Sequence, residues 1–195
     1  MEKIILASSS PRRRDILRLL KIPFEAVPVD IDEKITKKSV SLQTIKLSKS
    51  KVMKIIDSPA YNSFNWILGG DTLIEFDNRI IGKPENKTEA FNLLSSFSGR
   101  KHRVFTGLSF FSRKNNRISS LWCKTEVIFS RISEKEINWY INTGEWKDAA
   151  GGYKIQKLGA CLIKKIIGSY SNVMGLPIHR FYGMLRACNY PILNG

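Results

Sequence analysis

One carboxylate interrupts a stretch that is otherwise typical of a buried strand. In "WILGGDTLIEF", which covers residues 66–76, the alternation along a strand places Ile67, Asp71 and Leu73 on the same face. An unpaired buried charge costs several kcal/mol, so Asp71 should meet an arginine, a lysine or a metal ion. A structural ion pair and a catalytic carboxylate are both consistent with this pattern.

Three consecutive arginines at positions 12–14 follow "SSSP", where a strand ends and a helix is expected to begin. Each of them is unfavourable at a helix start by roughly 0.3 to 1 kcal/mol unless an anion is present. Serine hydroxyls, backbone amides and guanidinium groups at such a turn would suit a phosphate. The spacing to Ile16 and Leu17 places Arg13 on the core side, and a solvated basic turn is the alternative interpretation.

Further charged residues stand where a phosphate chain and a metal ion would need them. Glu33 follows the second expected strand, and Mg2+ prefers carboxylate oxygens, so Glu33 and Asp71 are candidate ligands. Lys51 lies four residues from apolar neighbours on either side, which places it against the apolar flank of a helix. Lys83, in "IIGKPE", is held by a rigid glycine–proline turn, although both lysines also fit an ordinary surface role.

The elements that must position these residues alternate between strand and helix in the first half, which indicates a layered α/β protein. The pattern predicts, in chain order, strand 3–7, a helix from 11 behind a Ser10 cap, strand 23–29, helix 41–56, strand 66–76, helix 87–97, two long strands within 104–129, helix 134–142 with a Ser133/Glu136 capping box, and a last helix opened by Pro177. A tight hairpin at "FDNRI" makes the sheet mixed.

Length and composition favour one domain over residues 1–195, since a 195-residue chain with 43% hydrophobic residues can bury one sizeable core. No apolar segment is long enough for a signal peptide or a membrane span, so a cytoplasmic protein without a membrane partner is expected. The net charge of +15 raises the question of nucleic-acid binding. The basic residues are scattered without a recognition motif, which argues against it.

Cysteine and histidine offer little chemistry. Cys123, Cys161 and Cys188 are widely spaced and odd in number, so they are interpreted as reduced core thiols. His102 and His179 have neither ligand spacing nor a nucleophile beside them, and they are expected to be hydrogen-bonded structural residues.

Eight motifs in order resemble the Maf family of nucleoside triphosphate pyrophosphatases, from Lys3 to about Ala187. The motifs are "LASSSPRRRDIL", "DE" at 32 and 33, "LSKSK", "GGDT", "GKP", "SGRKHRVFTG", "GGYKIQKLGA" and "GSYSNVMGLP". The resemblance implies an elongated, two-lobed α/β fold with a twisted mixed sheet flanked by helices and a central cleft, similar to the inosine triphosphate pyrophosphatases of the Ham1 type. It also implies a homodimer.

The family reaction converts a nucleoside triphosphate and water into the monophosphate and pyrophosphate. Carried over residue by residue, the resemblance makes Asp71 the proton acceptor or the activator of a metal-bound water, and a metal ligand, with Glu33 as the second ligand of Mg2+, or of Mn2+ as the alternative. The implied phosphate-binding residues are Ser8, Arg13, Lys51 and Lys83. These roles suit a reaction in which charge builds on departing pyrophosphate.

Arg12, Thr72 and Gln156 match the branch of the family that acts on dTTP, UTP and related pyrimidines, rather than the branch that acts on 7-methyl-GTP. Uracil and thymine present two carbonyl acceptors around one N3 donor, which an arginine, a hydroxyl and a neutral amide can serve. The cationic 7-methylguanine would favour a glutamate at position 156. The resemblance therefore implies a house-cleaning hydrolase for pyrimidine nucleotides.

The chain departs from the family pattern at three places. Ala149 stands where a lysine is usual, Gly70 where alanine is usual, and Trp146 where proline is common. The alternative function is a role in septum formation, to which the family is linked. In that role the chain would act through a protein or nucleic-acid partner.

Overall fold

The computed structural model describes residues 1–31 and 39–193. Within these residues the strands are β1 (Ile4–Ala7), β2 (Phe24–Val27), β3 (Trp66–Phe76), β4 (Arg79–Ile81), β5 (Lys101–Ser112), β6 (Arg117–Phe129) and β7 (Ile163–Ile167). The helices are α1 (Pro11–Leu19), α2 (Val40–Ile56), α3 (Lys87–Phe97), α4 (Glu134–Asn142), α5 (Tyr170–Val173) and α6 (Ile178–Ala187). Short 3-10 turns lie at Pro59–Tyr61, Ala150–Gly152 and Leu158–Leu162.

The strands form a mixed sheet, which confirms the predicted α/β class. Its order is β2-β1-β3-β5-β6-β7, with β4 paired to β3. Strand β1 is parallel to β2 and β3, whereas β4 is antiparallel to β3 and β7 is antiparallel to β6. Asp77 and Asn78 join β3 to β4 with φ angles of 49° and 58°, the positive values that a two-residue hairpin of type I′ requires.

Local sequence signals set several boundaries. Helix α4 begins with the predicted capping box, in which Glu136 N donates to Ser133 Oγ and Ser133 N donates to Glu136 Oε2. Helix α1 begins at Pro11 as predicted, but Ser10 makes no side-chain cap. Ser10 is the N-cap residue, as predicted, but instead of its side chain capping the helix, its amide donates to Ser8 Oγ at 3.2 Å.

The chain divides into two compact units, and the single domain over residues 1–195 stays a prediction. Unit 1 comprises Met1–Thr72, Thr106–Cys123 and Gly175–Gly195, and unit 2 comprises Leu73–Phe105 and Lys124–Met174. The elongated outline and the central cleft that the resemblance implies also stay predictions.

Each unit has an aromatic and aliphatic core of its own. In unit 1, Trp66 stacks on Phe110 at a centroid distance of 5.5 Å, and the ring of Tyr190 packs edge-on against Trp66. In unit 2, Phe97 and Phe129 are 0% and 1% exposed and lie in the main apolar cluster. Such burial of large rings supplies much of the hydrophobic stabilisation of a unit of this size.

Helix α2 approaches the sheet closely at two glycines of unit 1. A Cβ at Gly69 would lie 2.3 Å from the backbone oxygen of Ser48, and one at Gly107 would lie 2.4 Å from the backbone of Thr44. Only a residue without a side chain allows this contact. The helix is therefore fixed against β3 and β5, and with it the position of Lys51.

The cysteine prediction is correct in part. The three thiols are free, but Cys161 is exposed and Cys123 is half-buried, so only Cys188 is a core thiol. Cys161 lies at the surface, in the 3-10 turn Leu158–Leu162, and its side chain packs in no core.

No helix in the described part of the chain is long and apolar enough to cross a membrane.

Candidate active site

Two parallel strands bring the first site residues together near the carboxyl end of β1 in unit 1. Strand β1 pairs with β3 in a register that places Ala7 opposite Gly69. Ser8 follows β1 directly, and Asp71 lies two residues beyond Gly69, so both lie near the carboxyl end of β1. Ligands collect at such strand ends in α/β proteins, and the predicted burial of Asp71 is confirmed at 6% exposure.

Asp71 pairs with a buried cation, as its burial predicted. Lys51, on α2, places its Nζ 2.6 Å from Asp71 Oδ1, and the two side chains are 11% and 9% exposed. A pair so well removed from water compensates both charges, and removing one partner would be destabilising because a buried charge would lose its ion-pair partner. The predicted position of Lys51 against the apolar flank of its helix is confirmed.

The burial and hydrogen bonds of Arg13 account for one of the three arginines at the start of α1. Its side chain is 7% exposed and turns away from the helix axis, in contrast to the exposed Arg18 on the outer row. Its Nε donates to the carbonyl of Gly175 at 2.8 Å, and its Nη1 donates to Ser8 Oγ at 2.9 Å. Arg12, the other predicted site arginine of this turn, is half-buried.

A hydroxyl network holds the remaining edge of the Arg13 guanidinium. Its Nη2 donates to Thr72 Oγ1 at 2.9 Å, and Thr72 Oγ1 shares a hydrogen bond of 3.0 Å with Thr106 Oγ1. The guanidinium also packs over Gly70, where a Cβ would lie 2.8 Å from its Nε. Unit 1 thus brings together five predicted site residues: Ser8, Arg13, Lys51, Asp71 and Thr72.

Lys83 belongs to unit 2 and lies in an ordered, exposed turn. Its Nζ is 3.9 Å from Asp148 Oδ1, but the side chains are 62% and 91% exposed, so this ion pair contributes little to stability. The preceding Gly82 accepts a hydrogen bond of 3.0 Å from Gly151 N. The glycine–proline turn therefore fixes the backbone of Lys83 and leaves its ammonium accessible to a ligand.

Gln156 also lies in unit 2, in a turn closed by a hydrogen bond of 3.2 Å from Lys157 N to Lys154 O. Its Oε1 is buried and has no hydrogen-bond partner among the described residues. A buried acceptor without a partner costs free energy, which a bound ligand carrying a donor would recover. Ala149, where the family has a lysine, is 1% exposed and so belongs to the packed interior of this unit.

The predicted metal site can be assessed through Asp71 alone, because Glu33 lies outside the described residues. In ranges 1–31 and 39–193, no group of three or more His, Cys, Asp or Glu residues could hold a metal ion. Mg2+ usually takes one or two protein carboxylates and completes its shell with water and substrate phosphate oxygens. A single buried carboxylate among cationic side chains fits a cation that arrives with a phosphate chain.

Two contributors to the site were not predicted from sequence. Thr106 lies in "SGRKHRVFTG" and Gly175 in "GSYSNVMGLP", two of the quoted motifs. The bond from Arg13 to Gly175 joins residues 162 positions apart, so only the fold reveals it. His102 is buried and hydrogen-bonded, as predicted, whereas His179 is exposed.

Comparison with known proteins supplies a family match over most of the chain. The family model described as "Maf-like protein" matches residues 3–188. A dTTP/UTP pyrophosphatase of Thermosipho africanus is 43% identical over 183 residues, which cover 94% of this chain and 92% of that protein. A dTTP/UTP pyrophosphatase of Syntrophus aciditrophicus is 40% identical over 177 residues, which cover 91% of this chain and 85% of that protein.

Among solved structures, a HAM1 protein from Coxiella burnetii is similar over 68% of this chain and 75% of its own. The TM-score is 0.43 and the sequence identity 17%.

Proposed function

Because the chain belongs to the family of Maf-like proteins, we propose that it is a nucleoside triphosphate pyrophosphatase that hydrolyses dTTP and UTP. The observation that carries this proposal is the buried Lys51–Asp71 pair at the carboxyl end of a parallel strand, with Arg13 in the same unit. The relatives named dTTP/UTP pyrophosphatase support the same substrates. The reaction would remove surplus or modified pyrimidine nucleotides from the cellular pool.

Asp71 acts as the proton acceptor in this reaction. Water attacks the α-phosphorus, the bond from that phosphorus to its bridging oxygen breaks, and pyrophosphate leaves with the bridging oxygen. The proton that the water loses passes to the Asp71 carboxylate, and the monophosphate keeps the water's oxygen. Lys51, 2.6 Å from Oδ1, orients the carboxylate and compensates its charge.

Cationic side chains stabilise the charge that builds on the phosphates. Arg13, held rigidly by Ser8 and Thr72, offers a guanidinium group, which binds phosphate oxygens with defined geometry. Lys51 and Lys83 are assigned to the phosphate chain by the motif match. Preorganised donors of this kind lower the barrier because they need no rearrangement as the charge develops.

A divalent cation, Mg2+ or alternatively Mn2+, would be held by Asp71 and Glu33 and would neutralise phosphate charge and make the α-phosphorus more electrophilic. The donor chemistry of Asp71 fits this assignment. The other roles in the reaction belong to side chains of the protein itself.

Arg12, Thr72 and Gln156 are assigned to base recognition. The buried Oε1 of Gln156 supports this role, since uracil and thymine carry an N3–H that can donate to it. Thr72 has a second task, because its hydroxyl accepts a hydrogen bond from Arg13 and so orients a phosphate-binding residue.

We also propose a homodimer in the cytoplasm, where nucleoside triphosphates are made and used, with no membrane or nucleic-acid partner. The alternative role in septum formation through a partner gains no support from the relatives reported above, whose names describe hydrolysis of dTTP and UTP.

A substrate panel tests the proposal. With Mg2+ present, pyrophosphate release should be much faster from dTTP and UTP than from 7-methyl-GTP, since loss of a matched buried hydrogen bond can cost about 10⁴-fold in discrimination. Gln156→Glu should narrow the gap by introducing a carboxylate that suits a cationic base. Asn115→Asp, which makes the same change of charge at an exposed amide, should not. Preferential cleavage of 7-methyl-GTP by the unmodified protein would refute the assignment.

A further inference from the structure

His102 and Tyr153 form a buried pair in unit 2 that the proposed reaction does not use. His102 Nε2 lies 2.8 Å from Tyr153 Oη, and the two residues are 2% and 5% exposed. The imidazole stacks on Phe97 at a centroid distance of 4.4 Å. Burial lowers the pKa of His102 to about 4 and raises the pKa of Tyr153, so both groups are neutral at pH 7. The pair is therefore a directional bond between two neutral rings, and it fixes the side chain of Tyr153.

The residues after Tyr153 are held by two other tyrosines. Lys154 N donates to Tyr140 Oη at 3.0 Å, and Tyr170 Oη donates to the carbonyl of Ile155 at 3.3 Å. Hydroxyl groups thus take the places of the backbone partners that a regular strand or helix would supply. The segment 153–155 has a defined path although it belongs to no strand or helix.

The same segment leads directly into the turn that carries Gln156. Gly159 packs so closely on this turn that a Cβ there would lie 2.6 Å from Lys154 O. With Lys157 N also bonded to Lys154 O, the backbone on both sides of Gln156 is anchored. The side chain of Tyr153 is a further anchor of this segment, and only two residues separate it from Gln156.

The anchoring of the backbone around Gln156 matters for base recognition because a side-chain amide can pair with either class of base. A glutamine side chain can donate from its NH2 or accept at its oxygen, and turning it by half a revolution exchanges the two. Thymine and uracil present a carbonyl at the position where cytosine presents an NH2 donor. A Gln156 whose backbone shifts could serve both classes of base, whereas one whose backbone is held presents its amide to the base from a fixed position.

We propose that His102 and Tyr153 are positioning residues that set the discrimination of uracil and thymine against cytosine, by holding the turn that presents Gln156. This inference rests on the proposed function, because it assigns base recognition to Gln156. Neither residue contacts the base; both act through the backbone of residues 153–156.

Steady-state kinetics of Tyr153→Phe test the inference. The variant keeps the ring and loses the hydroxyl that bonds to His102. With dTTP we expect KM to rise about tenfold and kcat to stay within about threefold, since the Lys51–Asp71 pair is untouched. The ratio of kcat/KM for dTTP over CTP should fall about tenfold. His102→Phe should reproduce both changes, and the double variant should add nothing to either, as expected for two residues that act as one unit.

Tyr190→Phe is the matched control. Tyr190 is 3% exposed, and its hydroxyl donates to the carbonyl of Glu2 at 2.6 Å within unit 1, so the variant loses a hydrogen bond of the same kind. It should lower the melting temperature about as much as Tyr153→Phe but leave KM and the dTTP-to-CTP ratio unchanged. If Tyr153→Phe lowers only the melting temperature, as the control does, the positioning role is overturned while the proposed function stands. If the unmodified protein releases no pyrophosphate from dTTP, the proposed function fails and the inference fails with it.

Discussion

At the scale of single residues, Arg13 has a structural role and, in the proposed reaction, a phosphate-binding role as well. It brings a positive charge to the first turn of α1, where the helix itself is already positive. The charge is directed into the interior of unit 1, where Ser8, Thr72 and the carbonyl of Gly175 accept its hydrogen bonds. These hydrogen bonds fix the orientation of the guanidinium, as the proposed recognition of a phosphate requires.

The first prediction concerns Arg13→Ala. An argument from the helix start alone expects stability to stay unchanged or to improve, because an unfavourable charge is removed. The three hydrogen bonds of Arg13, two buried and one partly buried, reverse that expectation: we expect the free energy of unfolding to fall by about 2 to 4 kcal/mol. Hydrolysis of dTTP should fall by orders of magnitude. Urea unfolding and pyrophosphate release measure the two effects.

Arg14→Ala is the control from the same turn. Arg14 makes an exposed bond of 3.3 Å to the carbonyl of Ser9, so its removal relieves the same repulsion and sacrifices little. Equal stability of the two variants would show that the buried bonds of Arg13 contribute nothing to the fold.

At the scale of elements, the distance between α2 and the sheet determines whether Lys51 reaches Asp71. The helix packs on β3 and β5 where Gly69 and Gly107 leave no side chain between the backbones. A larger residue at either position would lift the helix and lengthen the 2.6 Å ion pair. Gly69 therefore fixes, through packing, the position of the Lys51–Asp71 pair on which the proposed reaction depends.

The second prediction follows from that contact. Gly69→Ala should reduce the free energy of unfolding by about 2 to 4 kcal/mol, because its Cβ would overlap the backbone of Ser48. Gly183→Ala, in α6, is the matched control, since a Cβ there meets no atom within 4 Å. It should be neutral or stabilising by up to about 1 kcal/mol. Equal unfolding midpoints in urea for these two variants would contradict the close packing of α2.

Elements with strong local signals could be predicted from sequence, and those defined by pairing could not. Strand 66–76, helix 87–97 and helix 134–142 have the predicted bounds, because alternation, an apolar stripe and a capping box specify them locally. Strand β7 was not predicted, since "IKKII" becomes a strand only by pairing with β6. Helix α5 was also missed, because four residues carry too little periodicity.

At the scale of the whole molecule, the buried His102 should make the free energy of unfolding depend on pH in the acid range. Burial lowers the pKa of His102 from 6.5 to about 4, so between these values the unfolded chain binds a proton that the folded chain does not. The stabilisation that comes from the neutral, buried His102 is fully present above pH 6.5 and is lost as the pH falls towards 4. The rings around it, Phe97, Phe129 and Tyr153, supply no charge to hold an imidazolium ion.

The third prediction compares the unmodified chain with His102→Phe. Lowering the pH from 7 to 5 should cost the unmodified chain about 2 kcal/mol more free energy of unfolding than the variant, since each pKa unit corresponds to about 1.4 kcal/mol. Urea unfolding at the two pH values measures the difference, and groups common to both chains cancel. Parallel losses in the two proteins would show that His102 is protonated as easily in the fold as in the unfolded chain.

The candidate site could be predicted residue by residue but not as a network. Burial of Asp71 and the inward direction of Arg13 follow from periodicity, and both are confirmed. Their partners are tertiary: Lys51 lies 20 positions from Asp71, and Gly175 lies 162 positions from Arg13. No local pattern specifies a contact over such separations.

The central claim is that Asp71 directs water to the α-phosphorus of dTTP or UTP, and hydrolysis of dTTP in ¹⁸O-labelled water tests it most directly. We predict dTMP carrying one ¹⁸O atom and unlabelled pyrophosphate, since the attacking oxygen stays on the phosphorus that it meets. Asp71→Asn should fold with a lower free energy of unfolding, because the buried Lys51 loses its carboxylate partner, and should release both products at a small fraction of the original rate, because an amide cannot take the proton. Label in the pyrophosphate, formation of dTDP and phosphate, or a rate for Asp71→Asn within a few fold of the unmodified protein would contradict the account.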